Sequence, residues 1–144
     1  MSRIYDFRES IKTAIVEANL GLAADDIVVA RQADIMTEIS TITAKVGNGV
    51  ACVIGAAKGR NKDPLSTDID EQVTLTVELW VRPIYSPDTK PEEDIFEPLK
   101  SFLHGLELVG VSQVYQELWY ESWQDRPDPE YLVREITLTQ RMLF

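Results

Sequence analysis

Apolar and polar residues alternate without a break from Gln72 to Arg82. Side chains of a strand point alternately to its two faces, so the apolar set faces a core together while the intervening residues, which are polar apart from Trp80, face the other way. The apolar residues are Val73, Leu75, Val77, Leu79 and Val81. This pattern is typical of an antiparallel strand with one solvated face.

A second alternating stretch lies at the end of the sequence. One set of alternate positions is mainly apolar and holds Leu132, Ile136, Leu138, Met142 and Phe144, and the other holds Glu135, Thr137, Thr139 and Arg141. The preceding stretch, Ser112 to Trp123, is rich in Tyr, Trp and Val and is predicted as a strand, although its i+4 aromatic spacing also fits a helix. A turn at Asp125–Pro129 would join the two strands as a hairpin.

Two segments have helical spacing. The first places Phe7, Ile11, Ala14, Ile15 and Ala18 on one face, and Gly21 supplies a residue that can end it. The other has its apolar stripe between Ile95 and Leu106, with Pro98 near its start. Because proline lacks a backbone N–H, this helix either begins late or kinks at Pro98. Gly105 or Gly110 would end it.

Residues 34–46 fit two descriptions. The spacing of Ile35, Ile39, Ile42 and Val46, with Asp34 as an N-cap, predicts a helix, whereas the high β-branched content favours a strand. Helix is our preferred interpretation. The short run Ile27–Val29 and the segment Val50–Ala57 are predicted strands, and Lys58 to Asp70 is predicted as a polar loop between strands.

These elements predict an α+β fold. We expect a small, mainly antiparallel sheet of about four to five strands, with two to three helices packed mainly on one side. A length of 144 residues fits a single domain spanning 1–144. A hydrophobic content of 44% is enough to build a core without disulfide bonds, and the one cysteine, Cys52, excludes an intrachain disulfide.

The net charge of −10 narrows the range of partners. Nucleic-acid backbones are bound by Lys and Arg, so sequence-specific nucleic-acid binding is not expected. An acidic surface repels DNA and also suits a basic partner protein. No apolar stretch approaches the roughly 20 residues that cross a bilayer, and the first residues lack a signal-peptide pattern, so we expect no membrane contact and a cytosolic setting or a particle assembled there.

Residue types give no catalytic, cofactor-binding or metal site. Cys52 lies in an apolar strand and His104 at a helix end, where packing and dipole complementation explain them better than a catalytic pair. The acidic groups Asp68–Glu71 and Glu92–Asp94 lack the ligand spacing of a calcium loop. The segment Gly55–Arg60 lacks the residue order of a phosphate loop.

Four residues are candidate subunit or partner contacts. Lys58, Arg60 and Lys62 form the densest basic group in an acidic chain, and a solvated loop is the simple alternative. Trp80 lies opposite the five apolar residues of its strand. It is either an interface residue or covered by another element of the same chain.

The order of elements resembles the tail-terminator and tail-completion (minor tail) proteins of tailed bacteriophages and prophages. The resemblance rests on the first helix (7–20), the segment from Asp34 through Gly47–Gly49 into Val50–Ile54, the strand Val73–Val81 with the Pro-rich loop and helix after it, and the closing hairpin with Trp119-Tyr120-Glu121. It covers nearly the whole chain as a layout, and none of these stretches is a diagnostic signature.

This resemblance implies a structural protein without enzymatic activity. Such proteins assemble as a ring, typically a hexamer, on the last ring of the tail tube, stop tube growth and contact the head–tail connector protein. Location in the virion tail, after assembly in the bacterial host cytoplasm, follows from the same resemblance. The alternatives are another phage neck or head-completion protein, a small acidic bacterial protein-binding module and, with least support, a small hydrolase or metal enzyme.

Overall fold

A five-stranded sheet organises the fold. The computed structural model describes residues 3–29, 35–43, 49–62, 65, 70–82, 94–108 and 117–143. In chain order the elements are α1 (Arg3–Glu17), a short 3-10 turn (Ala24–Asp26), β1 (Ile27–Val29), α2 (Ile35–Thr43), β2 (Val50–Asn61), β3 (Asp70–Val81), α3 (Phe96–Leu103), β4 (Trp119–Arg126) and β5 (Leu132–Leu143). The strand order is β1-β2-β3-β5-β4, with β1 parallel to β2 and the other pairs antiparallel.

Helices α1 and α3 pack on one face of the sheet, called here the first face. All five apolar residues of the β3 alternation are buried there, as predicted. The helices contribute Phe7, Ile11, Ile15, Phe96, Leu99 and Leu103, each fully or almost fully buried. Burial of one such side chain contributes about 1.5–3 kcal/mol to the stability of the fold. The layer between the sheet and these two helices is therefore the main core of the molecule.

Helix α2 packs on the opposite, second face. Its Ile39 and Ile42 lie against a smaller apolar cluster formed by Ala51, Val53, Trp80, Tyr131 and Val133. The helical interpretation of residues 35–43 is therefore confirmed, because burial of one apolar face outweighs the modest strand preference of β-branched residues. Asp34 and residues 44–46 lie outside the described residues. With two helices on one face and one on the other, the predicted α+β class is confirmed.

The helix ends follow local backbone chemistry. After α1, both Asn19 and Gly21 adopt positive φ, at 58° and 92°. Pro98 lies in the first turn of α3, where its missing N–H removes no helical hydrogen bond, so the alternative that the helix begins near this proline is confirmed. Gly105, with φ 79°, follows the helix, whereas Gly110 lies outside the described residues.

Two predicted boundaries were wrong. Strand β2 continues through Asn61, so Lys58–Asn61 belongs to a strand and not to a loop. Pairing explains the extension, since Lys58 to Asn61 are each in register with a residue of β3. Strand β4 likewise runs through Arg126, so the turn to β5 begins later than expected. Residues 109–116, which include part of the predicted aromatic strand, lie outside the described residues.

A β-bulge in β2 decides which face its second half presents. Ile54 pairs with Val77 and Ala57 pairs with Leu75, so two residues of β2 lie opposite one residue of β3. The extra residue shifts the alternation, as a one-residue slip would. Ala57 therefore packs on the first face with Ile54, and Lys58 points to the second face.

Glycine at position 55 allows the bulge to pack closely. A Cβ at Gly55 would overlap Oγ1 of Thr76 and lie 3.3 Å from the Thr76 carbonyl oxygen. The Gly55 carbonyl accepts a buried hydrogen bond of 2.9 Å from Nη1 of Arg8 on α1. The bulge is thus held from both sides, by β3 and by α1.

Three charged side chains form a cluster on the second face. Glu78 of β3 and Glu135 of β5 are directly paired, an arrangement that is unfavourable for two carboxylates. Arg126 of β4 contacts both, at 3.0 Å to Glu78 and 3.4 Å to Glu135, and its guanidinium lies 5.2 Å from the centre of the Trp80 ring. Burial raises the pKa of Glu78, although Arg126 and the Trp80 N–H act in the opposite direction.

We expect Gly55→Ala to lower the free energy of unfolding by about 1–3 kcal/mol, because the new methyl group clashes with Thr76. Adding Thr76→Ala removes Oγ1 and should restore part of that loss. Urea denaturation of the two single variants and the double variant measures this coupling. Additive losses in the double variant would contradict the proposed clash.

The raised pKa of Glu78 predicts a pH dependence of stability. The native state holds the proton more tightly than the unfolded chain, so this stabilising contribution is complete below the ordinary pKa of about 4.5 and is lost as pH rises through the native pKa. The unfolding free energy of the wild type, minus that of Glu78→Gln, should therefore increase as pH falls from neutral toward that value. Denaturation curves over this pH range measure the difference, and a flat or opposite trend would refute it.

Candidate interaction surfaces

Cys52 and His104 lie in different environments. The Cys52 side chain is completely buried in β2, and burial, with a smaller effect of Glu78, raises its pKa to about 12. His104 is exposed at the end of α3, where Nδ1 accepts a 3.1 Å hydrogen bond from the Tyr120 N–H and the ring contacts Trp119 edge-on. The two side chains therefore do not form the pair that nucleophilic catalysis requires.

The predicted acidic groups fall largely outside the described residues, since Asp68, Glu92 and Glu93 are not among them. Within the described ranges, the structure contains no group of three or more His, Cys, Asp or Glu side chains placed to hold a metal ion. Over the same ranges, none of the helices combines the length and the apolar content needed to cross a membrane.

Trp80 is covered by its own chain. Its side chain is 5% exposed, lies in the cluster beneath α2 and packs edge-on against Tyr131 with ring centres 5.3 Å apart. The structure thus matches the alternative considered for this residue, coverage by another element. Trp80 is accordingly left out of the contact surfaces described below.

Lys58, Arg60 and Lys62, called here the basic patch, are all exposed at the far end of β2. The register places Arg60 in one row with Gln72 of β3 and Arg141 of β5, and Lys62 donates a 3.3 Å hydrogen bond from Nζ to Oε1 of Gln72. The neighbouring row consists of Lys58, Thr74 and Thr139. These two rows hold cations and neutral polar groups and no carboxylate, so the two rows together are positively charged.

A groove of about 610 Å³ lies on the opposite side of the sheet, between α1 and the end of α3. Its charged lining residues are Glu9, Glu17 and Glu107, and no lysine or arginine is present among the described residues that line it. The apolar lining consists of Ala14, Ala18, Phe102, Leu106 and Leu108. We call this feature the acidic groove.

Strand β4 forms one edge of the sheet and is exposed along almost its whole length. Trp119 and Trp123 on this strand, called here the aromatic edge, are 48% and 43% exposed. The Trp123 ring packs edge-on against Phe96, and the Arg134 guanidinium lies 4.7 Å from its centre. An edge strand that carries exposed aromatic rings is a natural site for contact with another chain.

The basic patch was predictable from the sequence, whereas the acidic groove and the aromatic edge were not predicted. A signal for the groove was present, since Glu9, Thr13 and Glu17 recur every four residues on the polar side of α1. The other wall of the groove consists of residues about 90 positions later in the sequence. Only the packing of α3 against α1 brings these residues close to Glu9 and Glu17. The aromatic edge could not be predicted without the strand order, because a strand of this sequence can lie at the edge or at the centre of a sheet.

No protein-family model matches this sequence, and no curated protein matches it either. Among solved structures, the fold is similar to a chain of the particle described as "Virion of native gene transfer agent (GTA) particle". The TM-score is 0.69 with 11% sequence identity, and the match covers 95% of this chain and 94% of the other. At this identity the likeness concerns the fold, which both chains share over nearly their full lengths.

Proposed function

We propose that this protein is a structural component of a phage-like particle, of the tail-terminator type. It would form a ring, typically a hexamer, on the end of the tail tube, stop tube growth and join the tail to the head. The observation that carries the proposal is the full-length fold similarity to a chain of a gene transfer agent virion. The layout of elements in the sequence supports the same assignment.

The surfaces of the molecule suit a protein that acts by assembly and not by chemistry. The basic patch lies on the second face, whereas the acidic groove lies on the first face beside the aromatic edge, so one copy can contact more than one neighbour. The proposed neighbours are further copies of this chain, the tail-tube protein and the head–tail connector protein. A net charge of −10 would allow DNA to pass through such a ring without being retained.

The proposed place of work is the virion tail, after assembly in the cytoplasm of the bacterial host. A neck or head-completion protein is the second candidate. It is favoured by the fact that the similar chain belongs to a whole virion particle, so the fold similarity does not single out the tail. The two candidates predict different defects when the protein is missing.

Deletion of the gene in a strain that produces the particles should separate these roles. A terminator is needed to stop tube growth, so its loss should give tubes longer than normal that carry no heads. Loss of a neck protein should instead give tails of normal length beside unattached heads. Electron microscopy of the particles measures tail length and head attachment, with the gene restored on a plasmid as the control. Normal particles in the deletion strain would refute both roles.

Purified protein provides a second test of the ring. Light scattering over a wide concentration range should reveal a species of about six times the chain mass of 16.3 kDa, and negative-stain images of the same samples should show closed rings. A protein that forms no ring, either alone or on tube ends prepared from the same particle, would contradict the proposed assembly.

A further inference from the structure

The acidic groove has no counter-charge among the described residues that line it. Glu9, Glu17 and Glu107 surround it, and these lining residues include neither lysine nor arginine. Carboxylates that share a concave surface repel one another, so a cationic occupant is favoured there. The apolar lining adds a second requirement, because the alkyl stems of lysine and arginine can cover apolar surface while their charged ends reach the carboxylates.

The basic patch has the complementary composition. Lys58 and Arg60 are two positions apart on a strand and point to the same face, and Lys62 continues the row through its hydrogen bond to Gln72. Three cationic side chains, two on β2 and one just beyond its last residue, thus lie close together on the second face. Leu65, which follows the patch, is 95% exposed and adds an apolar residue at the same end of the molecule.

A single copy cannot join its own two surfaces. The bulge in β2 turns Lys58 and Arg60 to the second face, whereas α1 and α3, which form the groove, cover the first face. The sheet therefore separates the patch from the groove. A contact between them must join two molecules, and it uses different surfaces on each molecule, so it is head-to-tail.

We propose that the basic patch of one copy docks in the acidic groove of a second copy. The inference rests on the proposed ring, since it names the surfaces that join neighbouring subunits. A head-to-tail contact of this kind leaves one patch and one groove unoccupied at the ends of any open chain. Further copies add until the chain closes, which produces a ring when the rotation between neighbours permits closure.

The charges make the contact sensitive to salt. Exposed ion pairs are individually weak, so the contact depends on several pairs together with burial of the lysine and arginine stems. Raising the ionic strength screens these pairs and should shift the protein toward smaller species. Sedimentation velocity at low and high salt measures this shift.

Charge reversal on each surface gives the decisive experiment. The patch variant carries Lys58→Glu, Arg60→Glu and Lys62→Glu. The groove variant carries Glu9→Lys, Glu17→Lys and Glu107→Lys. Each variant alone places like charges against each other, and its self-association should be weakened by about tenfold or more. A 1:1 mixture should assemble again, because the acidic patch of one variant faces the basic groove of the other and vice versa.

The mixture also fixes the stoichiometry. The two variants must alternate, so the restored species contains equal numbers of both and an even number of subunits in all. General attraction between the two proteins does not explain such rescue, since the wild-type charge is −10 and three reversals change it by six, which leaves both variants acidic. Sedimentation velocity on the mixture, with one variant labelled fluorescently, measures size and composition together.

A control variant matches the groove variant in charge. Asp25→Lys, Glu38→Lys and Asp94→Lys reverse three exposed carboxylates that line neither the acidic groove nor strand β4. This variant should assemble like the wild type. Circular dichroism and thermal unfolding of every variant show that the fold is retained, and replacement of the three cations by glutamine gives a milder patch variant that should lie between the wild type and the full reversal.

The possible outcomes separate this inference from the proposed function. Loss of assembly in each variant, with recovery in the mixture, establishes the docking. Rings that persist in both variants would refute the patch-to-groove contact and leave the ring itself intact. Loss in both variants without recovery in the mixture would show that the two surfaces bind something other than each other. Wild-type protein and mixture that both stay monomeric, alone and on tube ends from the same particle, would also refute the contact, while the gene-deletion phenotype still decides the role in the tail.

Discussion

The burial of β3, along its whole first face and around Trp80 on its second face, is the constraint on which the rest of the structure depends. Its five alternating apolar side chains hold α1 and α3 on the first face, and Trp80 on its other side provides part of the platform for α2. Both long neighbours, β2 and β5, pair with β3 over most of its length. A strand with this position fixes the register of the sheet, because a slip by one residue would exchange its apolar and polar faces.

The second face combines burial with charge. Near Trp80, helix α2 covers the sheet, and Arg126 holds Glu78 and Glu135 together where two carboxylates would otherwise repel. Toward the C-terminal end of β2 the same face carries the two positively charged rows that contain Lys58 and Arg60. Assembly surfaces can therefore occupy that end without disturbing the core, since the exposed cations of the basic patch contribute no apolar packing to either cluster.

Much of the fold followed from periodicity alone. The apolar stripes of α1 and β3 and the closing hairpin were predictable because a long amphipathic element can bury its apolar side in only one way. The strand boundary at Lys58 was not predictable. Where a strand extends beyond the core its residues are polar, and their composition is then the same as that of a loop. Among the surfaces, the basic patch was visible as a local charge group, whereas the acidic groove joins α1 to residues near Leu106 that are distant in sequence.

The sequence by itself determined which residues are apolar at strand or helix spacing, and hence the α+β class and most of the core. The tertiary structure decided where the cations of β2 point. Simple alternation would place Lys58 and Arg60 on the same face as Cys52 and Ile54. The extra residue in the bulge at Gly55 places these two cations on the opposite face. The reason is physical. The bulge depends on close packing of Gly55 against Thr76 and on a hydrogen bond from Arg8, contacts between segments that local sequence does not encode.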